Sequence, residues 1–128
     1  NKITNAKLID DDAAKVIISI KDKSINNIFL NFSDPWPKRR HFKRRLTSET
    51  FLSNYFRILK DDGLIIFKTD NLDLFTYSLD TFKENNFIII SEERDYKGDD
   101  EFDTITEYEA SFREEGKPIY RVKLKKNG

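Results

Sequence analysis

The sequence predicts a doubly wound α/β sheet. Short runs of strand length alternate with segments of helical period, several of those runs are almost continuously apolar, and an aspartate stands just beyond three of them. Strand-helix alternation builds a sheet whose parallel strands are joined by right-handed crossovers. Continuous apolar runs suit strands covered on both faces. Ligands of such sheets sit beyond the C-terminal strand ends, so Asp12, Asp34 and Asp70 are expected to line one crevice.

Taken in order, Ala6-Lys7-Leu8-Ile9 reads as the end of a strand. Asp10-Asp11-Asp12 supplies a loop and N-cap chemistry for a helix through Ala13 to Ile20. Asn27 to Phe32 is a second strand, stopped at Ser33-Asp34-Pro35-Trp36-Pro37, where two prolines forbid ladder or helix continuation. Thr47-Ser48-Glu49 opens a helix with Phe51, Leu52, Tyr55, Phe56 and Leu59 on its apolar stripe, and Asp61-Asp62-Gly63 is expected to close it. Leu64 to Lys68 is a third strand, Leu72 to Glu84 a helix and Phe87 to Ser91 a fourth strand. Thr106 to Glu115 reads as helical, and Pro118 to Lys125 alternates as a final strand, whose return without a long crossover suggests an antiparallel pair at the sheet's edge.

With 128 residues, the chain has material for one domain, and we expect all of 1–128 to belong to it. A sequence 38% hydrophobic and 36% charged suits a packed sheet under a charged surface, and no apolar run is long enough to span a bilayer; the expected location is the cytoplasm. Lack of cysteine excludes disulfides and thiolate sites, and a single histidine, His41, cannot build a histidine metal site, so no metal is expected. Net charge is zero, yet Lys38, Arg39, Arg40, Lys43, Arg44 and Arg45 form a basic island without an acid, while Glu92 to Glu115 is mostly acidic. One face is expected to attract phosphate and another to repel it. The absence of any methionine suits a segment of a longer chain.

Asn31 to Lys38 is the stretch that carries chemistry. A carboxylate at a strand end, held by a proline turn beside an aromatic and followed by cations, suits a flat, hydrogen-bonding ligand attached to phosphate, such as a nucleotide. Local chemistry alone leaves a plainer alternative open, in which Asp34 caps a turn, Trp36 packs as core and the cations are a solvated face.

The stretches Asn31-Phe32-Ser33-Asp34-Pro35-Trp36-Pro37-Lys38, Arg39 through Thr47, Phe67-Lys68-Thr69-Asp70-Asn71, Thr106-Glu107-Tyr108-Glu109 and Gly116 through Arg121 resemble, in order and spacing, the bacterial tRNA (guanine-N7)-methyltransferase family. The resemblance covers nearly the whole chain. It implies a Rossmann-like class I methyltransferase sheet, here its C-terminal portion, mostly parallel with an antiparallel edge strand. It implies S-adenosylmethionine as methyl donor and tRNA as substrate, with the methyl group passing to N7 of a variable-loop guanosine. Asp34 occupies the catalytic position and borders the methyl donor; Asp12 matches a cofactor contact, though Asp10 and Asp11 are close enough in sequence to compete for that role. Lys38, Asp70, Thr106, Glu107, Tyr108 and Glu109 match substrate-binding positions, and Arg39, Arg40, Lys43, Arg44 and Arg45 are expected on the tRNA backbone. The family's glycine-rich loop and ribose-gripping acid have no counterpart in 1–128 and are expected before Asn1, so this segment alone is expected to bind cofactor poorly and to be inactive.

Two other functions remain open from the sequence. An amino-group methyltransferase carries a loosely similar Asn/Asp-Pro-Pro-aromatic turn after a strand, and a non-catalytic RNA-binding module or partner subunit would keep the basic island without the chemistry. Monomer and homodimer are equally compatible with the sequence.

Overall fold

A computed structural model describes residues 5–7, 13–96 and 118–127, with side chains from residue 15 onward. The described elements are β1 (Asn5–Lys7), α1 (Ala13–Ile18), β2 (Ile25–Asn31), a 3-10 helix (Arg39–Arg44), α2 (Glu49–Ile58), β3 (Leu59–Thr69), α3 (Leu72–Glu84), β4 (Phe87–Glu93) and β5 (Tyr120–Lys126). They form one five-stranded sheet in the order β1-β2-β3-β5-β4. β1, β2 and β3 run parallel, and β5 is antiparallel to both β3 and β4. The expected antiparallel pairing at this end is present, but the antiparallel strand itself lies one place in from the edge, with β4 outermost. In the inner position Val122 and Leu124 of β5 are fully buried, whereas Ile88 and Ile90 of the outermost β4 stay exposed.

One face of the sheet carries Ile28 and Leu30 of β2, Ile65 and Phe67 of β3 and Val122 and Leu124 of β5, in one core with Leu52, Tyr55 and Ile58 of α2 and Leu74, Phe75, Leu79 and Phe82 of α3. Burying each of these side chains contributes about 1.5–3 kcal/mol. The expected stripe on α2 is confirmed, with Phe51 and Phe56 only partly buried at its margin. Arg57 of α2 reaches back to α1, donating to Ile17 O at 2.9 Å and to Ile20 O at 2.7 Å while its ion pair with Asp22 spans 2.8 Å. Carbonyls left over at the end of a helix are thereby satisfied.

Two helix ends depart from the sequence expectation. α1 ends at Ile18 rather than Ile20, with Ser19 and Ile20 in the turn that follows. α2 ends at Ile58 and β3 begins at Leu59, so Asp61-Asp62-Gly63 does not close the helix. Instead Ile25 pairs with Leu59 and Asn27 with Leu64, which leaves residues 60–63 as an excursion from the ladder. Gly63 makes that excursion possible. A Cβ there would lie 2.6 Å from Leu59 Cδ1 and 2.8 Å from Asn26 O, closer than any side chain tolerates.

Asp12, the expected helix Thr106–Glu115 and the four site residues Thr106, Glu107, Tyr108 and Glu109 lie outside the described residues. Among the described residues, no helix is long and apolar enough to cross a membrane.

Candidate active site

β2 and β3 end side by side, Asn31 pairing with Lys68. Asp34 and Asp70 therefore follow neighbouring strand ends at the same C-terminal edge of the sheet, as the sequence leads one to expect. After Asn31 the chain takes unusual backbone angles: φ is +54° at Phe32 and +41° at Trp36, both in the left-handed region that bulky residues seldom occupy. Phe32 still donates to Lys68 O at 2.8 Å, so the strained turn hangs from the ladder. Strain of this kind persists only where surrounding contacts impose it, and it concentrates at functional sites.

Asp34 lies at the apex of this turn with its side chain exposed, and its Oδ1 accepts from Trp36 N at 3.3 Å. The local bond fixes the carboxylate's orientation without burying it. Just before it, Asn31 Oδ1 and Ser33 Oγ are buried yet have no hydrogen-bond partner among the described residues. Trp36 is half-buried, with the Arg44 guanidinium 5.1 Å from its ring centroid and the His41 ring edge-on at 5.5 Å. It is not core, which removes one part of the plainer reading.

The basic island forms the 3-10 helix, and its cations have separate fates. Lys38, Arg39, Arg40, Lys43 and Arg44 are exposed. Arg45 is 2% exposed: its Nε donates to Pro35 O at 2.7 Å, and its guanidinium carbon lies 3.8 Å from the Phe42 ring centroid and 4.4 Å from that of Tyr77. Expected among the tRNA backbone contacts, Arg45 instead braces the proline turn against α3, because aromatic faces and a carbonyl take up its charge. Burial pushes its pKa down from the usual guanidinium value, while Tyr77 and Asp73 act in the opposite direction. Desolvation, together with Arg44, Arg40 and Lys38, lowers the His41 pKa, and His41 Nε2 accepts from Arg40 Nε at 3.4 Å, which a neutral ring allows.

The segment after the island is tied to α3 by buried hydroxyls. Thr47 Oγ1 and Ser78 Oγ share a 2.6 Å bond, and Thr81 Oγ1 donates to Thr47 O at 2.8 Å; Tyr55 donates to Leu46 O at 2.7 Å. Turn, island and both helices therefore form one braced unit. At the neighbouring strand end, Asn71 rather than Asp70 caps α3, its Oδ1 accepting from Leu74 N at 2.8 Å. Asp70 is thus not used as the cap and is half-buried; two residues before it, Lys68 is fully buried with its ammonium 5.7 Å from the Tyr96 ring centroid.

The sequence reading did not single out Asn31, Ser33 or Arg45 for what they do here. For Asn31 and Ser33 a signal was present, since polar side chains close an otherwise apolar strand. For Arg45 there was none, because Phe42 and Tyr77 meet only in space.

A protein-family model described as "Putative methyltransferase" matches residues 1–122. The chain belongs to that methyltransferase family. Among curated relatives of this methyltransferase segment, the tRNA (guanine-N(7)-)-methyltransferase of Staphylococcus epidermidis is 47% identical over 124 residues, 96% of the chain and 58% of the relative. That of Staphylococcus aureus is 44% identical over the same shares. The chain therefore spans 58% of the length of these relatives. Solved structures of similar fold include a SAM-dependent methyltransferase from Archaeoglobus fulgidus, at TM-score 0.54 and 14% identity over 88% of this chain and 64% of that one. Precorrin-6y C5,15-methyltransferase from Geobacter metallireducens has TM-score 0.53 and 16% identity, over 90% and 50%. At these identities the likeness is one of fold, and it places the methyltransferase segment in a class I methyltransferase sheet.

Proposed function

We propose that the protein methylates N7 of guanosine in tRNA with S-adenosylmethionine as donor, and that this chain supplies the strand-end half of its active site. The observation that carries the reading is the constellation at the end of β2. An exposed Asp34 stands on a strained turn, between buried polar atoms without partners and a row of solvent-facing cations, in a chain 47% identical to a tRNA (guanine-N(7)-)-methyltransferase. Polar groups without partners at a strand's C-terminal edge fit a polar ligand seated there, as the donor's amino-acid and nucleoside ends would be.

S-adenosylmethionine supplies an electrophilic methyl group on a sulfonium. Guanine N7 has an available lone pair at neutral pH, so no base need remove a proton before the N7–carbon bond forms and the carbon–sulfur bond breaks. Catalysis rests on alignment, for which effective molarities reach about 10⁵ M or more. Asp34 orients the base by accepting from its N1–H and N2 amino edge, which adenine does not present in that pattern. Its carboxylate also faces the positive charge that N7 methylation places on the purine. Asp12 contacts the cofactor; Lys38, Asp70, Thr106, Glu107, Tyr108 and Glu109 contact the substrate. The exposed cations Arg39, Arg40, Lys43 and Arg44 hold neighbouring phosphates, and Trp36 offers its ring to a base taken out of its stack. The reaction belongs in the cytoplasm.

The test is product analysis with the whole protein, tRNA and methyl-labelled donor, followed by digestion to nucleosides. N7-methylguanosine is the expected product. Label on an exocyclic amine, or tRNA binding without any transfer, would overturn the reading.

A further inference from the structure

Asn31 Oδ1 and Ser33 Oγ are buried without hydrogen-bond partners among the described residues, three residues and one residue before Asp34. Leaving such a group without a partner costs about 1–3 kcal/mol, so a fold keeps two of them within three residues only against a compensating gain. Turning the Asn31 amide over does not resolve the deficit, since it would bury the amino group in place of the carbonyl. Ser33 is 8% exposed, which makes it the more enclosed of the two. Strand alternation puts Asn31 in the row of Asn27 and Phe29, which with Leu64, Ile66, Arg121 and Lys123 line a cleft on the sheet face opposite the α2–α3 core. Asn31 is the last residue of that row, at the C-terminal edge, and Ser33 follows it in the strained turn, after Phe32 at positive φ.

We propose that Asn31 and Ser33 form a ligand-contact pair that accepts hydrogen bonds from an N–H group of the molecule seated beyond β2. The pair rests on the function proposed above and adds to it a contact separate from Asp34. The missing partner must donate to Asn31 Oδ1, and both reactants can do so: the methyl donor through the ammonium of its amino-acid end, the target guanine through the second hydrogen of its N2 amino group, which Asp34 leaves over. The residues define the shared chemistry, and experiment separates the sources.

The experiment uses the whole protein with Asn31→Leu, Ser33→Ala and the double substitution. Three quantities are read: thermal unfolding without ligand, calorimetric affinity for S-adenosylmethionine, and single-turnover methylation with KM for tRNA at saturating donor. Removing a polar atom that has no partner costs the free protein nothing, so unfolding temperatures should hold or rise. Ligand affinity should fall about tenfold per substitution, the size of one lost hydrogen bond to a charged or well-placed donor. Loss in the calorimetric arm assigns the pair to the donor's ammonium, and loss confined to the tRNA arm assigns it to guanine. A lowered unfolding temperature in the free protein would mean the atoms are partnered within the fold, and unchanged affinities in both arms would mean they touch no ligand; either result overturns the proposal. Failure of the unsubstituted protein to methylate guanosine would instead overturn the function, and the calorimetric arm would still decide the pair's role towards the donor.

Discussion

The ends of β2 and β3 are neighbours in the sheet, yet their polar groups are treated in opposite ways. Beyond β3, Thr69 Oγ1 accepts from Asn71 N at 3.1 Å and Asn71 Oδ1 accepts from Leu74 N at 2.8 Å, so the chain passes into α3 with its turn satisfied. At the end of β2, two aromatic residues adopt positive φ and two buried polar atoms have no partner among the described residues. A turn whose only task is to connect has no reason to keep such costs. On the proposed function, the contrast sets a β2 end suited to a ligand against a β3 end that serves the fold, where Asp70 is not used in capping.

The largest effect that would sharpen this contrast is at Asp34. Asp34→Ala in the whole protein should reduce single-turnover N7 methylation by about a hundredfold to a thousandfold, the loss of two charge-assisted hydrogen bonds, with tRNA affinity and unfolding temperature nearly unchanged. Asp34→Asn should be almost as slow, because the amide keeps one acceptor but adds a mismatched donor. Near-normal rates in both variants would place the chemistry elsewhere. Next comes Arg45→Leu, which removes a charged donor to Pro35 O and two ring contacts. It should lower stability by about 3 kcal/mol in denaturant unfolding and slow methylation through a misplaced turn. Arg45→Lys should recover little, since an ammonium cannot lie flat between two rings. An Arg45→Leu variant as stable as the parent would end the bracing role.

Neutralising Arg39, Arg40 and Arg44 together should reduce the slope of log tRNA affinity against log salt by about two to three, if each meets one phosphate, and leave donor affinity intact. An unchanged slope would make the island a solvated surface. The smallest effect belongs to the β3 end: Asn71→Ala should cost about 1 kcal/mol of stability, the usual worth of an N-cap, with methylation scarcely altered. A large rate loss there would erase the distinction between the two strand ends.

How much of this the sequence disclosed depends on whether neighbours in space were also neighbours in the chain. α3 was legible at both ends, Leu72 and Glu84, because its apolar period and its cap are local signals. The helix stripe from Phe51 to Leu59 was legible for the same reason, though Leu59 itself begins β3. Asp61-Asp62-Gly63 carries good turn chemistry, but nothing local distinguishes a turn that ends a helix from an excursion within a strand; the pairing of Ile25 with Leu59 decides that. β5 was read as antiparallel from its lack of a crossover, while its inner position is set by pairing with both β3 and β4, which no local signal discloses. In the site, Asp34 and Trp36 were visible through their prolines. Arg45 could not be told from Arg44 in a run of cations, since rings from two different elements take it out of solvent.

β3 and β4 share no ladder; β5 joins them, pairing with Thr69 on one side and with Phe87 through Glu93 on the other. A nascent chain that has emerged only as far as β4 therefore presents two raw sheet edges, one of them flanked by the exposed Ile88 and Ile90. Closure at this end must wait for Tyr120–Lys126, and during that interval the unpaired strands are open to addition by a strand from another molecule. Truncation before Tyr120 would make that interval permanent, so the expected product of such a truncation is an aggregating polypeptide rather than a smaller soluble one.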